Sequence, residues 1–453
     1  MTGAIQPGPV SGPLIDFVLA SRWEDLPADV RHQAKRSILN FFAAALGGSR
    51  DAAIDKAVAV LGRFSGKANT TVIGRADRSD ILNAAFLNAA SSNVFDFDDT
   101  HHPTIIHPSA PVAPPLLALA ETQPVSGAAL LQAFALGVEV ACRLGNAISP
   151  SHYNRGWHIT STCGVFGAAV AAGKVLGVDR ECMLAVLGNA SAQSAGLIET
   201  LGTMAKSIGV GNSARGGLLA ALFAQAGYTG PAEPIAGPRG FGHVMADAPK
   251  FDIITHGLGE TWELRANTHK PYPCGVVLFP VIDACLELRA RPDFSHSTVS
   301  RINVEGHPLL RARANRPNVS TGREAQVSAQ HSVAIVLLQG AAGVPQFADD
   351  CVTDPAVIAL RQKVAVQEVA DMPVESARVT IEMQNGRMLE ARIAHGRGTP
   401  KRPLSDAEIE SKLRVLAKYG CPSLDPEPLI DAVWSLDRTD RAGRILALAA
   451  PCT

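Results

Sequence analysis

Apolar positions recur at helical spacing through most of the first 265 residues or so. Val30, Ala34, Ile38, Phe41 and Phe42 fall on one face behind Asp29, a residue type suited to capping, and this run ends at Gly47-Gly48. Ser79-Asp80 opens a second helix, Ile81 to Asn88, which leads through a short Ala/Ser stretch into a polar cluster. Pro115 restarts a helix through Leu116, Leu117 and Leu119. From Thr160 to Tyr228 the chain is dominated by Ala, Gly and Leu, which predicts closely packed core helices. After about residue 267 the period changes. Arg301 to Glu305 alternates as a short strand. Val379, Ile381 and Met383 alternate, Asn385-Gly386 turns, and Leu389, Ala391 and Ile393 alternate again, a hairpin pattern. Gln326 to Leu338 reads as a helix between these strands. Ser405-Asp406-Ala407-Glu408 has the spacing of a capping box and restarts a helix.

These patterns predict a mainly α fold. A large all-helical domain takes residues 1–266 and 404–453, and a smaller α+β domain takes 267–403. At 453 residues the chain is too long for one ordinary core, which agrees with two domains. Hydrophobic residues reach 47% and charged residues only 18%, so disorder is excluded; the net charge of −1, without long charged runs, gives no reason to expect nucleic acid or a membrane surface as partner. Eight scattered cysteines (142, 163, 182, 274, 285, 351, 421 and 452) form no C-x-x-C pair and read as reduced thiols of a cytoplasmic protein. Residues 1–13 are Gly/Pro-rich and lack a charged-then-apolar signal pattern. Apolar runs such as Ala168–Val170 are broken by Gly and Lys before membrane-spanning length.

The densest chemistry lies between Asp96 and Ser109. Asp96, Asp98, Asp99, Thr100, His101, His102, Thr104, His107 and Ser109 stand among small and apolar neighbours, and Pro103 and Pro108 place them on a loop between helices. Buried polar groups need partners, so such a cluster points to chemistry, by proton transfer or by metal binding. His101 and His102 are adjacent and must point different ways, one of them to a structural or surface role. His158 precedes the Ala-rich helix, where free N–H groups and the helix dipole favour an anion. Lys206 stands amid apolar helices. Lys270, in Lys270-Pro271-Tyr272-Pro273, falls at the expected domain junction, a favoured position for small-molecule sites. The Gly237–Gly242 segment lacks a phosphate loop's strand-before, helix-after setting. No H-E-x-x-H, iron–sulfur cysteine set or G-x-S-x-G elbow is present.

Together, Asp96–Thr100, His107-Pro108-Ser109, Gly156–Gly164, Gly202–Lys206 with Ala214-Arg215, and Lys270–Pro273 resemble the MmgE/PrpD family in residue type and order. The resemblance implies a helical domain of N- and C-terminal segments, an α+β lid domain, a homodimer, no metal or organic cofactor, and a small polycarboxylate substrate. It places active-site positions on Asp96, Thr100, His107, His158, Lys206 and Lys270, with Tyr272, Arg215 and His331 as further substrate contacts. Family members include 2-methylcitrate dehydratase, cis-aconitate decarboxylase and iminodisuccinate epimerase. This chain departs from the lyase patterns. Ala110-Pro111 follows His107-Pro108-Ser109 where dehydratases read Asp-Asn; Ser207-Ile208-Gly209 stands where Pro-Leu-His is common; Gly275 replaces a His of the decarboxylases and His331 a Tyr. By elimination, the expectation is an epimerase of iminodisuccinate type, abstracting a proton alpha to a carboxylate. His158 with Lys206 or Lys270 would form the acid/base pair, His107 and Thr100 would bind carboxylate, and Asp96 would orient an imidazole. The alternative is a dehydratase or decarboxylase of the same family; a metal-dependent hydratase or hydrolase is the competing class.

Overall fold

A computed structural model describes residues 6–451; Cys452 and the first five residues of the N-terminal segment lie outside the described residues. The chain is mainly α with a small mixed sheet, and it gathers into two compact units. The larger takes its residues from the chain up to Val94, from Asp98–Asn267 and from Ser405 onward; the smaller takes Phe95–Phe97 and Thr268–Leu404.

In the larger unit the expected apolar stripe is buried along the helix Ala28–Gly48. Its N-cap is Pro27, not Asp29. Asp29 lies in the first turn, where its charge still meets the helix dipole favourably, and it receives Arg265 Nε at 2.6 Å. The next helix, Ile81–Asn93, opens as expected, with Asp80 accepting from Leu82 N–H and Asn83 N–H, each at 3.0 Å. It runs on through the Ala/Ser stretch, because Ser91 and Ser92 bury their hydroxyls by donating to the carbonyls of Leu87 and Ala89. The helix Ser109–Thr122 starts before Pro115. Pro111 sits in its first turn, where a backbone N–H has no intrahelical acceptor to lose, and Pro114 and Pro115 lie inside it.

The core of this unit is built from Gly127–Ile148, Ile159–Leu176 and Ala205–Gln225. Small residues set the spacing. A Cβ on Gly217 would sit 2.4 Å from Ala168 Cβ, and one on Gly167 would sit 2.5 Å from Gly137 O. Contrary to the reading of short apolar runs, Gly127–Ile148 and Ile159–Leu176 are long and apolar enough to cross a membrane, and most of their residues are buried in the fold. The Ser405–Glu408 capping box is present and opens Asp406–Gly420, which packs on Ala28–Gly48. A two-residue ladder, Thr70–Thr71 with Arg78–Ser79, and the short strand Asp99–His101, which falls in the polar segment expected to be a loop, interrupt the helical character of these segments.

The smaller unit carries a four-stranded sheet of β1 (Val299–Gly306), β2 (Val364–Glu368), β3 (Ala377–Met383) and β4 (Met388–Ile393), in the order β2-β1-β3-β4. β3 and β4 form the expected hairpin, with Gly386 at φ +79° in the turn. β2 pairs parallel to β1, and the crossover between them includes the helix Ala329–Gln339. That helix starts three residues after Gln326 because Ser328 caps it, accepting from His331 N–H at 3.1 Å. It packs with Phe279–Arg289 over the apolar core of the unit.

Candidate active site

The polar cluster occupies the connection between Ile81–Asn93 and Ser109–Thr122. Its two adjacent imidazoles divide as expected. His101 is fully buried between Thr104 Oγ1 (2.7 Å) and Glu263 Oε2 (2.9 Å), a structural role, while His102 is exposed. His107 is buried with its Nδ1 2.7 Å from the carbonyl of Asp99, 3.2 Å from Thr100 Oγ1 and 3.3 Å from Asp98 Oδ1. A carbonyl can only accept, so Nδ1 carries a proton and Nε2 is the basic nitrogen. Asp98 is set in turn by Asn93 Nδ2 at 2.6 Å.

Asp99 serves as an N-terminal anchor. Its carboxylate accepts from Ser109 N–H at 3.3 Å, from the Ser109 hydroxyl, and from Asn267 Nδ2 at 2.6 Å. It is fully buried, and burial pushes its pKa up to about 6 in spite of the Ser109 and Asn267 hydrogen bonds. The carboxyl group thus holds the start of Ser109–Thr122 while its own carbonyl orients His107.

His158 is the N-cap residue of Ile159–Leu176, and Lys206 lies in the first turn of Ala205–Gln225. The two helix starts meet: a Cβ on Gly209 would lie 2.7 Å from Ser161 Oγ. Neither first turn carries an acidic residue, and although Thr203 Oγ1 accepts from Ala205 N–H at 3.2 Å, the dipoles of both ends favour an anion. A lysine at a helix N-terminus is unfavourable in isolation and adds to that positive potential. The His107 segment joins here, its backbone N–H donating to Thr160 Oγ1 at 3.1 Å. The backbone of His158 is fixed by its N–H to Gly196 O (3.0 Å), and its Nδ1 lies 2.8 Å from Ser161 Oγ. Thr100, His107 and His158 therefore lie on adjoining segments of the larger unit, and the helix that carries Lys206 meets the helix that His158 caps. Arg215 lies further along the Lys206 helix, stacked 5.2 Å over Phe86 and donating to Asn212 Oδ1 at 2.7 Å. Ser161 and Thr160 were not singled out from the sequence. The spacing of Ser161, three residues after an N-cap histidine, was the available sign.

In the smaller unit, Lys270 is 2% exposed and donates to Asp96 Oδ2 at 2.8 Å. Asp96 holds that position with φ +52°, a left-handed conformation uncommon for a non-glycine residue. The imidazole-orienting role expected of Asp96 falls, for His107, to the Asp99 carbonyl and Asp98. The Tyr272 hydroxyl donates to Asp283 Oδ1 at 2.6 Å, and Asp283 Oδ2 accepts from Arg397 N–H and Arg402 Nη1, a buried structural link. His331 is fully buried, with Nε2 2.8 Å from Gln346 O and Nδ1 without a hydrogen-bond partner. Burial, aided by the charge of Arg361, lowers its pKa to about 4, so His331 is a neutral group near pH 7.

Comparison with known proteins adds a second line. The MmgE/PrpD N-terminal domain matches residues 13–254 and the MmgE/PrpD C-terminal domain residues 272–438. A cis-aconitate decarboxylase-like protein of Aspergillus oryzae is 27% identical over 99% of this chain and 98% of its own length. The human cis-aconitate decarboxylase is 30% identical over 90% of this chain and 88% of its own, and that of Aspergillus terreus 28% over 94% and 92%. These relatives are named cis-aconitate decarboxylase or, for the first, decarboxylase-like. They overturn the expectation of an isomerase and favour a lyase.

Proposed function

This chain belongs to the MmgE/PrpD family, and from that membership we propose that it is a lyase that decarboxylates a small unsaturated polycarboxylate of the cis-aconitate type. The observation that carries the proposal is near full-length similarity to several proteins named for that activity. The geometry of the larger unit supports it. Two helix starts meet there, one carrying Lys206 and one preceded by His158, with the His107 segment bonded to Thr160, and helix N-termini suit anionic oxygens.

In this reaction the carbon–carbon bond to one carboxylate breaks and carbon dioxide leaves. The electron pair left behind is delocalised through the alkene towards a remaining carboxylate, and one proton is added at carbon. Lys206 and the N–H groups at the start of Ile159–Leu176 stabilise the oxygens on which charge grows. His158 supplies the proton from Nε2. Thr100 and His107 bind a carboxylate that stays with the product.

The test is incubation of the purified chain with carbon-13-labelled cis-aconitate, followed by NMR. A five-carbon unsaturated dicarboxylate with an equivalent of carbon dioxide is expected, and Lys206→Met should reduce kcat/KM by about 100-fold or more. Hydration without carbon dioxide release, or no turnover, would refute it.

A further inference from the structure

The two imidazoles of the larger unit are held by different partners. His107 Nδ1 faces a backbone carbonyl and a carboxylate. His158 Nδ1 faces a hydroxyl, Ser161 Oγ, one turn along its own helix at 2.8 Å. A hydroxyl can accept from Nδ1–H or donate to a bare Nδ1, so this contact orients the ring in either tautomer.

Ser161 is confined. Gly196, at φ +135°, lies so close that a Cβ there would be 2.7 Å from Ser161 Cβ and 3.5 Å from His158 Cβ. A Cβ at Gly209 would be 2.7 Å from Ser161 Oγ. Side chains at these two positions would push the hydroxyl off the imidazole. Gly209 is also one of the places where the chain departs from a common family pattern, so the missing side chain there gains a physical meaning.

We propose that Ser161, walled by Gly196 and Gly209, is the positioning residue that makes His158 Nε2 the proton-exchanging atom towards substrate carbon. The use made of that proton rests on the decarboxylase reading; the position of the proton on the ring does not. Ser161 Oγ accepts from Nδ1–H both when the ring is an imidazolium and after it has given up the Nε2 proton. The same hydrogen bond therefore persists through proton delivery, and the ring need not turn. The bond that breaks is Nε2–H, the bond that forms is C–H, and solvent returns the proton.

The experiment uses full-length protein with nitrogen-15-labelled histidine. Ring-nitrogen NMR reads the tautomer, with the His158 signal assigned by its loss in His158→Gln. The expected wild-type signal is the Nδ1–H tautomer. Ser161→Ala and Gly209→Ala should both shift it towards Nε2–H, the form a free imidazole prefers. Both should lower kcat by at least about tenfold with KM little changed, and Ser161→Thr should recover part of the loss. Gly209→Ala touches neither imidazole and gains helix propensity, so it separates positioning from failure to fold. An unchanged tautomer in both variants, or a changed tautomer with unchanged kcat, overturns the proposal. If the tautomer shifts but the wild-type protein releases no carbon dioxide from cis-aconitate, the decarboxylase reading falls and the positioning role stands.

Discussion

Asp99 is the group whose chemistry gives the sharpest quantitative test. Its carboxyl group is buried, its folded pKa is raised from 3.8 to about 6, and burial is the largest cause. A carboxyl group with a raised folded pKa binds its proton more tightly folded than unfolded. Its contribution to stability is therefore complete below about pH 3.8 and is lost as pH rises through about 6. Two pKa units correspond to roughly 3 kcal/mol in full, of which about 2 kcal/mol falls between pH 4.5 and 7. Asp99→Asn removes the titration and keeps the shape. The new amide can accept from Ser109 N–H. Its NH2 can be met by Asn267 Oδ1, a buried atom without a hydrogen-bond partner, if the Asn267 amide flips and the Ser37 hydroxyl reverses its bond. The assay is urea unfolding of wild type and variant from pH 4.5 to 7.5. The transition of the larger unit is followed and m compared at each pH, because a chain of two units need not unfold in one step. The stability difference, wild type minus variant, should fall by about 2 kcal/mol across that range. A flat difference, or one that rises with pH, would refute the reasoning.

The other structural assignments can be tested more briefly. Gly217→Val should destabilise the larger unit by about 1–3 kcal/mol or more, because even a Cβ meets Ala168 at 2.4 Å; thermal unfolding reads it. Tyr272→Phe should cost about 1–2 kcal/mol, by taking the hydroxyl from Asp283 Oδ1, and leave KM unchanged; a raised KM would return Tyr272 to substrate binding. His331→Phe should leave the pH profile of kcat/KM between pH 5 and 8 unmoved, because the imidazole titrates near 4; loss of a limb in that range would contradict its neutrality.

Elements whose signals are local were legible in the sequence. The Asp80 cap, the Ser405–Glu408 box and the Asn385-Gly386 turn each involve neighbours within a few residues, and each is present. The misses needed tertiary information. β2 has only one buried residue, Val364, and owes its existence to parallel pairing with β1, some sixty residues away. Asp29 reads as a cap until Pro27 is seen to occupy that position. At the site, residue types identified His107, His158, Lys206 and Lys270 as chemical groups, but partners could not be read from spacing. That Lys270 meets Asp96, and that His107 leans on the carbonyl of Asp99, depends on how the loop folds.

The expectation of an epimerase set the dehydratases aside at Ala110-Pro111 and the decarboxylases at Gly275 and His331; the decarboxylase relatives overturn it, and the structure shows what the first of these departures does. Replacement of Asp-Asn by Ala110-Pro111 reads in sequence as a loss of catalytic groups. In the structure both lie in the first turn of Ser109–Thr122 and are buried. Ala110 packs with Ala89, Val210 and Ala214, and Pro111 packs so tightly that a Cβ on Gly164 would approach its Cγ to 2.6 Å. These contacts fix how the Lys206 helix and the His158 helix approach this turn, and any residues that preserved that spacing would preserve the positions of the cations. Departure at a packing position therefore reports little about the reaction. Departure at Gly209 reports more, because a single methyl group there reaches the Ser161 hydroxyl that contacts the His158 ring. Gly209→Ala should therefore change turnover more than Ala110→Gly, and Ala110→Gly should lower stability more. Measuring kcat and thermal unfolding for both variants checks this, and the reverse ranking would show that packing at Ala110 tunes the reaction after all.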